Sequence, residues 1–210
     1  MKPGDWTWLE LTKVLLGVLT PLTVFYLSFV VDSAIQDREF SSLQAEAIRE
    51  YTQDIYSRRV RAELLAAGLR RHAEEPTDQS LSEVIERKAR YDEAYSEWNK
   101  KSQANLLVIR KLLESDTYTE LEDIVEQGLV LEGFKRLDNC LTNAYHEAIR
   151  GRDPVSLMND CDTAYLLDFV LRCGSNISDG LYGLSRSGGG DKLSAIKIDK
   201  SIKIACGYPV

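Results

Sequence analysis

The stretch IREYTQDIYSRRVRAELLAAGL, residues 48–69, carries the pattern on which the fold turns. Ile48, Ile55, Ala62 and Leu69 recur every seven residues, and Tyr51 and Leu65 fall on the adjacent row. An apolar stripe with this spacing belongs to an amphipathic helix in a bundle or a short coiled coil. Arg58 interrupts the second row, while Glu50, Asp54 and Arg58 stand four apart along a flank,. The spacing predicts one long helix over 36–73. Arg70, Arg71 and His72 put cationic groups at its negative end, and Glu74-Glu75-Pro76 stops it, because the residue before proline avoids the α region,.

The pattern then repeats. A second helix is expected from Ser80, with Glu83 completing a capping box, to about Ser115. Val84, Tyr91, Trp98, Asn105 and Leu112 share one seven-residue row. Leu81, Lys88, Tyr95, Ser102 and Ile109 share the next, so the middle of the seam is polar and aromatic. After a short loop at Asp116–Thr119, a third helical region is expected, broken at Gly128 or Gly133, with Leu137, Leu141, Ala144 and Ala148 on its core face. Gly151-Arg152-Asp153-Pro154 reads as a turn, with Asp153 as N-cap and Pro154 at the first helical position,. A fourth helix carries Cys161, Tyr165, Phe169, Cys173 and Ile177. The fold class expected is all-α: an antiparallel four-helix-bundle-like domain over 36–184. The remainder, 185–210, is a Gly-rich linker at Gly188-Gly189-Gly190 and a tail. In that tail Ile196, Ile198, Ile202 and Ile204 alternate with polar residues, as in a short β-hairpin; a disordered tail is the alternative,.

Ahead of this domain, residues 14–31 contain no charge between Lys13 and Asp32. Eighteen helical residues span about 27 Å, close to the hydrocarbon thickness. Twelve of them are Leu, Val or Phe, worth about -5 kcal/mol of insertion free energy. Thr20, Thr23, Ser28 and Pro21 subtract from this without reversing it. A single-pass transmembrane helix with a flank at 1–13 is therefore expected, with Trp6, Trp8 and Tyr26 as interface aromatics. A cleaved signal peptide would have a shorter apolar core and a more basic start.

The segment Leu16-Gly17-Val18-Leu19-Thr20-Pro21-Leu22-Thr23-Val24 and the patch Tyr95-Ser96-Glu97-Trp98-Asn99 resemble bacterial single-pass membrane proteins that have an N-terminal anchor and a helical body but no assigned function. The resemblance implies the bacterial inner membrane and, because arginines follow the span in those proteins, a cytoplasmic body. Asp32 and Asp37 stand at that place here, with Arg38 nearby. Charges flanking the span are close to balanced, and the body is expected in the cytoplasm.

The net charge of -7 argues against a nucleic-acid partner,. His72 and His146 are the two histidines, so zinc-protease spacing is absent,. Cys140 and His146 face different ways on a helix. Asp160-Cys161-Asp162 points its side chains apart. Gly188–Lys192 lacks P-loop spacing,. No cofactor or metal is implied, and the chain is expected to be non-enzymatic. Four cysteines allow three pairings, and in a reducing compartment they would be small buried hydrophobes,. Cys140 and Cys161 flank the turn at 151–154 at similar distances. In an oxidising compartment, Cys140–Cys161 and Cys173–Cys206 are the preferred bridges.

Three roles follow from this reading. The first is a membrane-anchored module that assembles with itself or with a protein partner. The second is a ligand-sensing input domain, with Tyr91, Tyr95, Trp98, Ser102 and Asn105 lining a pocket. The third is a membrane-damaging effector. Arg58, Arg59 and Arg61 form a basic knot suited to an anionic-lipid or partner contact.

Overall fold

A computed structural model describes residues 8–111, 113, 115–186 and 200–209. Before Ser42 it describes the side chains of Tyr26 and Val30 alone, and it describes none in 184–186. The chain divides into two units, Met1–Ser42 and Leu43–Val210. Every regular element among the described residues is helical: α1 (Trp8–Glu74), α2 (Asp78–Arg110), α3 (Ser115–Asp123), a π-helical segment (Ile124–Lys135), α4 (Arg136–Ile149), α5 (Pro154–Asp160), α6 (Thr163–Arg186) and α7 (Lys200–Ala205). In the first unit the chain is helical from Trp8. Among the described residues no helix is long and apolar enough to cross a membrane. The side chains of the 14–31 stretch, Tyr26 and Val30 apart, lie outside what is described, as does most of the 1–13 flank.

In the second unit, four rods follow one another and alternate in direction. Side chains of α1 meet α2 in opposite order: Arg71 reaches Glu83, Arg87 reaches the Leu64 carbonyl, and Arg58 lies over Tyr95. The same reversal joins α2 to the continuous rod α3–π–α4, where Trp98 meets Phe134 and Lys88 meets Tyr145. It recurs between that rod and α6, with Cys140 against Thr163 and Gly133 against Phe169 and Val170. Gly174 of α6 faces Ile55, which brings the last rod back to α1. The heptad residues Ile48, Tyr51, Ile55, Ala62, Leu65 and Leu69 are all buried in the shared core.

Several expected boundaries are corrected. The cap of α2 is Thr77, not Ser80. The Thr77 hydroxyl accepts from the Ser80 amide (3.1 Å) and the Ser80 hydroxyl accepts from the Thr77 amide (3.0 Å). Glu83 instead pairs with Arg71 and Arg87. His72, expected as a helix-end cation, is buried with Nδ1 2.7 Å from that same Ser80 hydroxyl. The second helix stops at Arg110, and the loop expected at Asp116–Thr119 is helical within α3.

The third rod does not break at Gly128 or Gly133 but widens into the π segment. Its buried residues come in pairs, Ile124-Val125, Gly128-Leu129 and Gly133-Phe134, four to five residues apart. That spacing suits a helix wider than 3.6 residues per turn, and in α4 the ordinary spacing resumes at Leu137, Cys140, Leu141, Ala144 and Ala148,. The fourth rod does break: α5 ends at Asp160 with Cys161 as its C-cap, and Asp162, at φ 51°, turns the chain into α6. Asp153 caps α5 by accepting from the Val155 and Ser156 amides, with Pro154 at the first position.

The tail is not a hairpin. Ile202 and Cys206 stand four apart and are both buried, as one face of a helix requires, so α7 docks through them,. Ile196 and Ile198 lie outside the described residues. Disulfides join Cys140 to Cys161 (Cα–Cα 6.1 Å) and Cys173 to Cys206 (Cα–Cα 4.6 Å).

Candidate functional site

Arg58 begins the site. It occupies an apolar register position of α1 and is only 2% exposed, so its charge needs a partner,. Asp138, from the first turn of α4, supplies it through Oδ2, and the buried Tyr91 hydroxyl of α2 donates to the other carboxylate oxygen, Oδ1. The guanidinium lies over the Phe134 ring (4.1 Å to centroid) and near those of Tyr95 (4.9 Å) and Trp98 (5.9 Å), where aromatic faces favour a cation,. Its Nε is buried with no hydrogen-bond partner.

This group forms the floor of a cleft of about 570 Å³ between α1, α2, the π segment and α4. Lys88 lines one wall, holding Asp92 at 2.6 and 2.7 Å and lying over Tyr145 at 5.5 Å. Tyr95 and Asn99 continue that wall; Lys135, Asn139, Thr142 and Asn143 form the opposite one. Burial raises the Asp138 carboxyl above the ordinary carboxylate range, although Arg58, Tyr91 and Lys88 pull it down,. Burial likewise raises the Tyr91 phenol, helped by the Asp138 charge. Tyr91 therefore remains a neutral donor at physiological pH.

Of the five residues expected to line a pocket, Tyr91 and Tyr95 do so. Trp98 is buried behind the floor, packed on Tyr51 (5.2 Å) and Phe134 (5.6 Å). Ser102 is half-buried further along α2. Asn105 is buried, with its amide nitrogen lacking a partner. Neither Ser102 nor Asn105 lines the cleft.

The three arginines of the basic knot separate. Arg58 enters the core, and Arg59 pairs with Glu63 at 3.1 Å. Arg61 lines a smaller cleft of about 220 Å³ with Leu64, Glu83, Glu86, Arg87 and Arg90. A third cleft, of about 470 Å³, lies beside the Cys140–Cys161 bridge and shares Asn139 and Asn143 with the first.

Sequence reasoning missed Asp138, Lys135 and the amides of α4, because only the π segment and the rod reversal bring them opposite Tyr91. The signal that was present is a charge on an apolar row: Arg58 on α1 and Lys88 on α2 both interrupt one, and both face the cleft. No family model matches the chain, and comparison with curated proteins and with solved structures finds no match.

Proposed function

We propose that the protein is a membrane-tethered, non-enzymatic recognition module: its helical body stands on the oxidising side of the membrane and receives a small polar ligand in the α1–α2–π–α4 cleft. The observation that carries this reading is the cleft itself. Its floor is a buried, internally neutralised Arg58–Asp138–Tyr91 group, and its walls offer exposed amides and a half-open tyrosine. Such a floor is held by an ion pair and a hydrogen bond between three helices, which suits a surface that must keep its shape before a ligand arrives,.

The tether rests on the sequence: eighteen residues without a charge, followed by a polar chain,. The side of the membrane rests on the cysteines. All four pair, and both Cα separations suit disulfides, which persist in oxidising compartments and are rare in the cytosol,. An extracytoplasmic body thus replaces the cytoplasmic placement that the anchor resemblance implied. The test is a thermal-shift survey of polar solutes against the full-length protein in nanodiscs. At least one solute is expected to raise Tm in the wild type and not in Tyr95→Ala. A broad survey without a single such solute contradicts the proposal.

One observation favours assembly as a second reading. Tyr56, Val60 and Leu64 are exposed (37%, 43% and 41%) at four-residue intervals on the outer face of α1. Cysteine-free crosslinking through Val60 in cells distinguishes a self-associating tether from a solitary one. The membrane-damaging role would rest on Thr20, Thr23 and Ser28 of the span, whose side chains lie outside the described residues.

A further inference from the structure

We propose that the cleft takes an acidic sugar, a polyhydroxylated ring bearing one carboxylate; this rests on the reading of the cleft as a recognition site and names its ligand class. The first argument is charge. Two of the three cations in the lining are already committed, Arg58 to Asp138 and Lys88 to Asp92. A multiply charged ligand would have to break one of these pairs and leave a charge unpaired in a part-buried place. Lys135 is the exception: it is exposed and has no ion pair among the described residues. The lining therefore has room for a single negative charge, at Lys135.

The second argument is hydrogen-bonding type. Asn99, Asn139 and Asn143 are exposed in the cleft, and each side-chain amide offers both donors and an acceptor; Thr142 adds a hydroxyl that is both,. A hydrocarbon ligand would desolvate these groups without replacing their bonds to water, and a bare carboxylate would use their donors alone. A ring of hydroxyls, each donor and acceptor at once, uses both. The third argument is the aromatic wall. Tyr95 keeps 43% of its surface open even with Arg58 against it. A tyrosine face accepts the weakly positive C–H face of a pyranose while hydroxyls at the ring's edge reach the amides. The volume, about 570 Å³, falls within the ordinary small-ligand range,.

Calorimetry on the full-length protein in nanodiscs, with glucuronate, glucose and acetate as probes, tests this. Glucuronate is expected to bind about ten-fold more tightly than glucose, the worth of one charge-assisted bond, and acetate more weakly than either. Lys135→Gln is expected to bring glucuronate down to the level of glucose and leave glucose unchanged. Raising the salt concentration is expected to weaken glucuronate and leave glucose unchanged. Tyr95→Ala is expected to weaken both sugars. Equal binding of glucuronate and glucose, or acetate binding as tightly as glucuronate, overturns the ligand class. So does silence from all three probes while another solute stabilises the wild type and not Tyr95→Ala; that result leaves the recognition reading standing. Silence from every solute overturns both.

Discussion

Arg58 sits where its helix calls for an apolar side chain, and its neighbours have been chosen accordingly. Phe134 and Tyr95 present ring faces to it, Asp138 neutralises it, and Tyr91 holds the far oxygen of Asp138. Removing one member leaves the others uncompensated. Arg58→Met is expected to destabilise the protein by about 3 kcal/mol, the lower end for a broken buried pair because the Asp138 side chain keeps 17% of its surface exposed,. Arg58→Met combined with Asp138→Leu should recover most of that loss, as urea unfolding of the three variants will show; a double-variant loss equal to the sum of the two single losses would mean the pair is not coupled. Asp138 also sets a pH dependence. Burial raises its carboxyl in the folded state, so the folded protein keeps that proton at pH values where the unfolded chain has lost it,. Its contribution to stability is full below the ordinary carboxylate range and is lost as pH rises through the raised value. The unfolding free energy of wild type minus that of Asp138→Asn should therefore fall as pH rises above the ordinary carboxylate value of about 4. A difference that grows with pH would show the carboxyl to be depressed instead.

The π segment is the element that most needed the structure. Seven-residue rows identified the core face of α1 and, through Val84, Tyr91, Trp98 and Asn105, one buried row of α2, because those helices keep the ordinary period along their length; of the second α2 row only Ile109 is buried. They could not identify Ile124–Lys135, whose buried pairs recur at four to five residues, nor the residues that its extra width carries into the cleft. The glycines read as helix breakers are instead points of close approach. A Cβ on Gly128 would lie 2.7 Å from the Cys206 carbonyl oxygen and 2.8 Å from the Cys206 Cβ, with that residue held to Cys173 by a disulfide. A Cβ on Gly68 would crowd the flexible Arg87 side chain, 2.8 Å from Cδ, and touch Val84 Cγ2 at an ordinary 3.7 Å. Gly128→Ala is thus expected to cost about 2 kcal/mol by overpacking, and Gly68→Ala less than about 1 kcal/mol, because a better helix former partly offsets the displaced arginine. Chemical denaturation of both variants checks the order; a reversal would place α7 elsewhere. The tail was misread for a related reason. Alternation of isoleucines suits a strand, but Ile202 and Cys206 also share a helix face, and the covalent link to α6 favours that alternative.

For the whole molecule, the bridges matter more than any single contact. Cys140–Cys161 spans the turn and the break between α5 and α6, and Cys173–Cys206 ties the last helix to α6 across 33 residues. Loop closures of this length restrict the unfolded chain enough to stabilise the fold by about 3–4 kcal/mol each. Reduction of the purified protein is expected to lower Tm by more than ten degrees, at roughly 2–4 °C per kcal/mol for a chain of this size; an unchanged Tm would mean that the bridges are dispensable. The most direct measurement is the thiol state of the full-length chain in its own cell. Cells are acid-quenched, fractionated and treated with a mass-adding maleimide before and after reduction. The expected result is a membrane-fraction protein with no reactive thiol before reduction and four after it. Four reactive thiols before reduction, or recovery of the intact chain from the soluble fraction, contradicts a disulfide-stapled body tethered on the oxidising side.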